Sequence, residues 1–137
     1  MVEFAGADSV RRIGNFQMGH SYFTSTSEWP EAGRLIVIAK GALYLVSLRD
    51  PKRYVTGPST VTSYCLSDER DLLAVADYCD LSVYEVAGRL RWRRRSLGID
   101  GLEVTGVKGS TVRGRACIDP PEQWRSFAVR LSDGADA

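Results

Sequence analysis

The sequence predicts an all-β protein built from antiparallel meanders. Three observations carry this. The dominant apolar period is two rather than the 3.6 of a helix, as where Leu43, Leu45 and Ser47 alternate with Tyr44, Val46 and Leu48. The patterned runs are short. They are separated by turn-forming pairs such as Lys40-Gly41, Asp50-Pro51, Gly57-Pro58 and Ala87-Gly88.

In chain order, residues 1–32 are the least patterned and form a poorly defined N-terminal segment. Its stretch from His20 to Pro30 mixes the aromatics Tyr22, Phe23 and Trp29 with hydroxyls, and Trp29-Pro30 reads as extended chain entering a turn. The apolar runs Leu35 to Ala39 and Ala42 to Leu48 flank Lys40-Gly41 and predict a hairpin with both faces largely buried. The prolines at 51 and 58 then mark a looser connection, since proline fixes its own φ and disfavours helix at its predecessor. Next come strands at Val61 to Leu66, Leu72 to Ala76, Leu81 to Val86 and Leu90 to Arg95, joined by turns at Ser67 to Arg70, Asp77 to Asp80 and Ala87-Gly88. A third hairpin starts near Thr111 and ends with a strand from Trp124 to Leu131. The proline-containing loop Ile118 to Gln123 is expected to interrupt its pairing. The polar tail 132–137 is expected to fray.

The second of these units resembles a tryptophan-aspartate (WD) repeat blade of a β-propeller: an apolar strand, Ser67-Asp68 and a polar turn, the run Leu72 to Val86, then Gly88 and a new strand. The Gly-His signature is absent, and Tyr84-Glu85 stands where the Trp-Asp dipeptide would be. Core hairpins beginning near Leu35, Leu72 and Thr111 recur at the roughly 40-residue spacing of propeller repeats. The resemblance therefore implies about three propeller-blade-like units between residues 35 and 131, inside a single domain spanning 1–137. Closed propellers take four to eight blades, so three must end in some other way. The units could close as a small sandwich or barrel, or a homodimer could complete a ring.

Charge balance narrows the function. Eighteen basic against seventeen acidic residues give a net charge of +1, where a nucleic-acid binder usually carries a clear basic excess for releasing phosphate counterions. Nucleic acid is not the expected partner. The chain opens without a signal-like pattern and has no apolar run of membrane-spanning length, so a cytoplasmic protein is expected. Cys65, Cys79 and Cys117 are widely spaced, with no CxxC and no histidine nearby, and read as reduced thiols. The single His20 cannot make a zinc site alone, and Asp77 to Asp80 lacks the ligand pattern of a calcium loop. Neither metal nor other cofactor is expected.

Five arginines fall between Arg89 and Arg95, around Trp92. Strand alternation puts Leu90 and Trp92 on one, buried face and Arg91 and Arg93 on the other, where they would be solvated or paired with Glu85 or Glu103. On the functional reading Arg91, Arg93 and Arg95 join Arg113 and Arg115 in one basic patch for an acidic protein partner, and Tyr22 and Trp29 supply aromatic anchors. This describes a non-enzymatic protein-interaction module, similar in size and composition to small bacterial immunity proteins that neutralise a partner. The alternative is a ligand- or carbohydrate-binding protein, or a hydrolase using the turn carboxylates Asp68, Glu69, Asp77 and Asp80. Turn carboxylates more often bond the backbone of their own turn.

Overall fold

The computed structural model describes residues 1–119 and 123–137. Thirteen strands form four antiparallel sheets, and the helical content among these residues is one 3-10 turn at Pro30–Ala32. Strands β1 (Val2–Ala5) and β2 (Arg11–Gly14) form a two-stranded hairpin. The first large sheet is the meander β3 (Ser25–Trp29), β4 (Arg34–Ala39), β5 (Ala42–Ser47) and β6 (Tyr54–Thr56). The second is β7 (Ser63–Leu66), β8 (Leu72–Ala76), β9 (Leu81–Glu85) and β10 (Leu90–Arg94). The third contains β11 (Leu102–Lys108), β12 (Thr111–Asp119) and β13 (Gln123–Arg130).

Alternation along each strand decides how the sheets stack. On the first sheet Ile36, Ile38, Leu43 and Leu45 point one way and pack with Leu73, Val75 and Tyr84 of the second. Leu35, Val37 and Val46 point the other way, where Val2 and Phe4 of the β1–β2 hairpin cover them. The hairpin of residues 35–48 is thus buried on both faces, as its sequence requires. Every residue of β8 is buried, because Leu72, Ala74 and Ala76 face the third sheet while Leu73 and Val75 face the first. A strand apolar at every position belongs between two layers. The three sheets therefore lie face against face in chain order, and they do not close into a barrel.

Polar contacts tie neighbouring sheets. The fully buried Trp29 donates its indole N–H to the Arg70 carbonyl at 2.6 Å. Glu31 and Arg70 pair at 2.8 Å across the same seam. Between the second and third sheets, the Val104 amide donates to Ser63 Oγ at 2.9 Å and the Gly109 amide to Asp68 Oδ2 at 2.9 Å.

Several expectations need correction. Residues 1–32 contain β1, β2 and β3, and the connection at 50–58 contains β6. The tail turns back: the Ala137 amide donates to the Ala128 carbonyl at 3.1 Å and Arg94 pairs with Asp136 at 2.6 Å, so it lies beside β13 instead of fraying. β12 and β13 pair continuously from Thr111↔Arg130 to Cys117↔Trp124 and, past a bulge, Asp119↔Gln123, so the third hairpin is not interrupted. Its prolines at 120 and 121 lie outside the described residues. In β10 a register shift between Leu90 and Trp92 breaks the alternation, which leaves Leu90 44% exposed and half-buries Trp92. The Trp92 indole N–H donates to the Leu131 carbonyl at 2.8 Å.

Candidate functional site

The structure does not gather the arginines into one patch. Arg91, Arg93 and Arg95 belong to the outer edge of the second sheet and its exit, and each has its own surroundings. Arg91 is exposed in a shallow crevice shared with Asp68, Glu69 and Asp71. Arg93 lies 2.5 Å from Asp80 and 3.8 Å from Asp77, not against Glu85 or Glu103. Arg89 takes Glu85, at 2.7 Å. Arg95 is exposed.

Arg113 and Arg115 sit on the middle strand of the third sheet. Their neighbours Val112 and Ala116 face the second sheet, so the two guanidinium groups face the opposite way, into solvent. Cross-strand register brings further groups to that side. Arg115 is opposite Glu103 and Ser126, with a loose ion pair to Glu103 at 3.9 Å. Its guanidinium carbon also stands 5.3 Å from the Trp124 ring centroid, and Trp124 is two-fifths exposed. Lys108 and Arg130 flank Thr111 on the same side. Arg130 is bonded to Asp133, whereas Lys108 and Arg113 form no ion pair among the described residues. The outer face of the third sheet is therefore basic, with one aromatic at its edge.

Tyr22 is fully exposed, carried on a segment whose neighbours are tied down. The Ser21 hydroxyl donates to the Val61 carbonyl at 2.6 Å, and the His20 amide to the Ser59 carbonyl at 2.8 Å. Trp29 is the opposite case. It is wholly buried with its N–H satisfied, so it packs the first sheet against the second and presents no surface for a partner. Trp124 takes the place expected of it, and only the register of the third hairpin, which pairs it with Cys117 beside Arg115, could have revealed that.

The carboxylates of the 77–80 turn are engaged in holding the turn. Asp77 Oδ1 accepts the amides of Cys79 at 2.9 Å and Asp80 at 2.7 Å, and Asp80 Oδ1 accepts the Ser96 amide at 2.9 Å. Ser67 Oγ similarly accepts the amides of Asp71 and Leu72. Burial pushes the Cys79 thiol above its ordinary range, and the nearby carboxylates of Asp77, Asp80 and Asp100 push it further. A thiol held neutral in this way is a poor nucleophile. All three cysteines are free, and no cluster of three or more metal-ligating side chains occurs among the described residues.

No protein-family model and no curated protein matches the chain. Among solved structures it is similar to the β-propeller domain of Cps50 (Swd1) from Myceliophteria thermophila, at a TM-score of 0.50 and 17% identity, over 84% of this chain. The fold is an array of β-propeller blades. The chain spans 41% of that domain's length. The blades begin their second strands at Arg34, Leu72 and Thr111, close to the spacing read from the sequence. The elements that carry the WD-repeat resemblance fall where a blade needs them: Ser67 in the first turn, β8 and β9 as the central hairpin, and Gly88 at φ 83° in the turn to the outer strand.

Proposed function

We propose that this protein is a non-enzymatic protein-interaction module whose third blade docks an acidic surface of a partner. The observation that carries the reading is the outer face of that blade. Lys108, Arg113 and Arg115 project from a rigid antiparallel sheet beside the half-exposed Trp124, and the one opposing carboxylate near Arg115 is held only loosely. Arginine and tryptophan are the residue types most enriched among those that dominate binding energy. Propeller blades offer such surfaces without needing catalytic groups, and three of the four turn carboxylates, Asp68, Asp77 and Asp80, accept backbone amides.

Within this reading the protein acts in the cytoplasm, where its three free thiols stay reduced. A partner-neutralising role of the immunity type would use the same face. Tyr22, exposed on a well-anchored loop, is a second anchor for the partner. Arg91, Arg93 and Arg95 contribute less, since Arg93 already has its carboxylates and Arg91 lies among acidic residues.

The test is affinity capture from the native host with the wild-type chain and with Arg113→Glu/Arg115→Glu. A partner recovered in a salt-sensitive manner by the wild type and lost with the variant supports the reading. Equal recovery by both, with the variant's fold intact by circular dichroism, removes the third-blade face.

A further inference from the structure

A second surface, on the opposite side of the array, forms where Phe16 and Tyr44 pack over the first blade's outer core of Leu35, Val37 and Val46 and leave aromatic area uncovered. After β2, the chain from Gly14 to Gln17 crosses back over the outer face of the first blade. There the Phe16 ring lies 5.0 Å from Tyr44, and Tyr44 lies 6.1 Å from Tyr54, centroid to centroid. The Tyr44 hydroxyl donates to the Gln17 carbonyl at 2.8 Å, which fixes that ring's orientation. Gly14 allows the fold-back, since a side-chain carbon there would come within 2.7 Å of the Phe16 ring. The result is an open cleft of about 720 Å³, with Arg49 and Lys52 on its rim.

Simple packing would cover these rings, yet Tyr54 is 57% exposed and Ile13, at the cleft's edge, 65%. The charges around the cleft are unevenly committed. Arg12 is bonded twice to Asp8, at 2.8 and 2.9 Å. Asp50 accepts the Lys52 amide at 3.2 Å and faces Arg53 at 3.6 Å. Arg49 and Lys52 have no ion pair among the described residues, so the free charge at the rim is positive.

We propose that this cleft binds a small planar aromatic anion, its ring system stacked on the exposed Tyr54 and meeting the tilted Tyr44 ring edge-on, and its phosphate or carboxylate held by Arg49 and Lys52. The volume falls within the roughly 300–1,000 Å³ of small-molecule sites. Ring faces supply offset stacking, and the two cations supply charge-assisted bonds that neither a neutral ring nor a bare anion can combine with it. The site is independent of the third-blade face.

Isothermal titration calorimetry on the full chain tests this with four probes: adenosine monophosphate, 1-naphthoate, adenosine and inorganic phosphate. Saturable one-site binding of either ringed anion is expected, with adenosine and phosphate at least about tenfold weaker, the loss of one charged contact or more. Preference for the nucleotide or for naphthoate tells which ringed anion the cleft takes. Arg49→Gln/Lys52→Gln should weaken binding by about tenfold or more with an unchanged melting temperature, because both side chains are exposed. Tyr54→Ala should do the same through the ring. The proposal is overturned if neither ringed anion binds saturably, if phosphate alone binds as well, or if the rim variant binds with wild-type affinity.

Discussion

Trp29 and the backbone of Arg70 are joined across the seam between the first two blades by a 2.6 Å hydrogen bond from the indole N–H, with the indole completely shielded from water. The ring fills the end of the first blade while its one polar atom fastens the turn that opens the second. A buried tryptophan satisfied in this way is structural, and its loss should show as stability.

Trp29→Phe keeps most of the apolar volume but strands the Arg70 carbonyl, and should cost about 1–3 kcal/mol. Trp29→Ala adds a cavity and should cost about 3–5 kcal/mol. Urea denaturation followed by circular dichroism measures both. An unchanged midpoint in Trp29→Phe beside a lowered one in Trp29→Ala would mean that the seam is held by the apolar contacts alone.

The blade spacing was legible because it rests on periodicity: Leu35 to Val46 and Leu72 to Ala76 are buried on both faces, and their apolar runs betray that directly. β3 was not legible. Its Ser25, Thr26, Ser27 and Glu28 carry little apolar signal, and the strand forms because β4 pairs with it from Ser25↔Ile38 to Trp29↔Arg34. β6 owes its pairing to β5 in the same way. The arginine patch failed on a tertiary fact, since no pattern within Leu90 to Arg95 reveals the bulge at Arg91 or the Asp80 that meets Arg93 across the sheet. Arg113 and Arg115 were legible as neighbours on one face. That their face looks away from every other blade depends on the stacking order.

The 77–80 turn gives a prediction that separates structure from catalysis. Asp77→Ala leaves the Cys79 and Asp80 amides without their acceptor and should destabilise by about 1–2 kcal/mol, in the range of a lost helix cap. Asp80→Ala frees Arg93 and the Ser96 amide. Because the two aspartates share Arg93, the double variant should cost less than the sum of the single ones. A hydrolase reading demands the reverse: stability retained and an activity lost.

Acid should weaken the fold through three surface carboxylates. Hydrogen bonds from Arg12 and from the Val10 amide hold Asp8 well below the usual range. Glu31 is lowered by a backbone hydrogen bond and by Arg70, and Asp133 by Arg130 and the Ala135 amide. In each case the folded pKa lies below the unfolded one. The contribution is therefore fully present above the ordinary carboxylate pKa of about 4 and is lost as pH falls through the folded values. Melting temperature should be level from about pH 7 to pH 5 and decline below pH 4. Asp8→Asn should soften the decline, and an identical profile in that variant would mean that the pair contributes nothing.

Three blades raise the question of what ends the array, and the two ends differ. At one end β1 and β2 cover Leu35, Val37 and Val46, so the first blade's outer core is already sheltered within the chain. At the other, the third blade shows solvent Lys108, Arg113, Arg115 and Ser126, with only the rim of Trp124 apolar. Stable homodimer interfaces are large and more hydrophobic than the rest of the surface, and the charged third-blade face does not provide that. A two-fold contact through the third blade would also set its arginines against one another. The chain should therefore run as a 15.1 kDa monomer in light scattering coupled to size-exclusion chromatography, at both dilute and concentrated loading. A dimer that survives dilution and dissociates in Arg113→Glu/Arg115→Glu would show instead that the basic face pairs with acidic residues of a second copy, and the docking surface would then be a self-association surface.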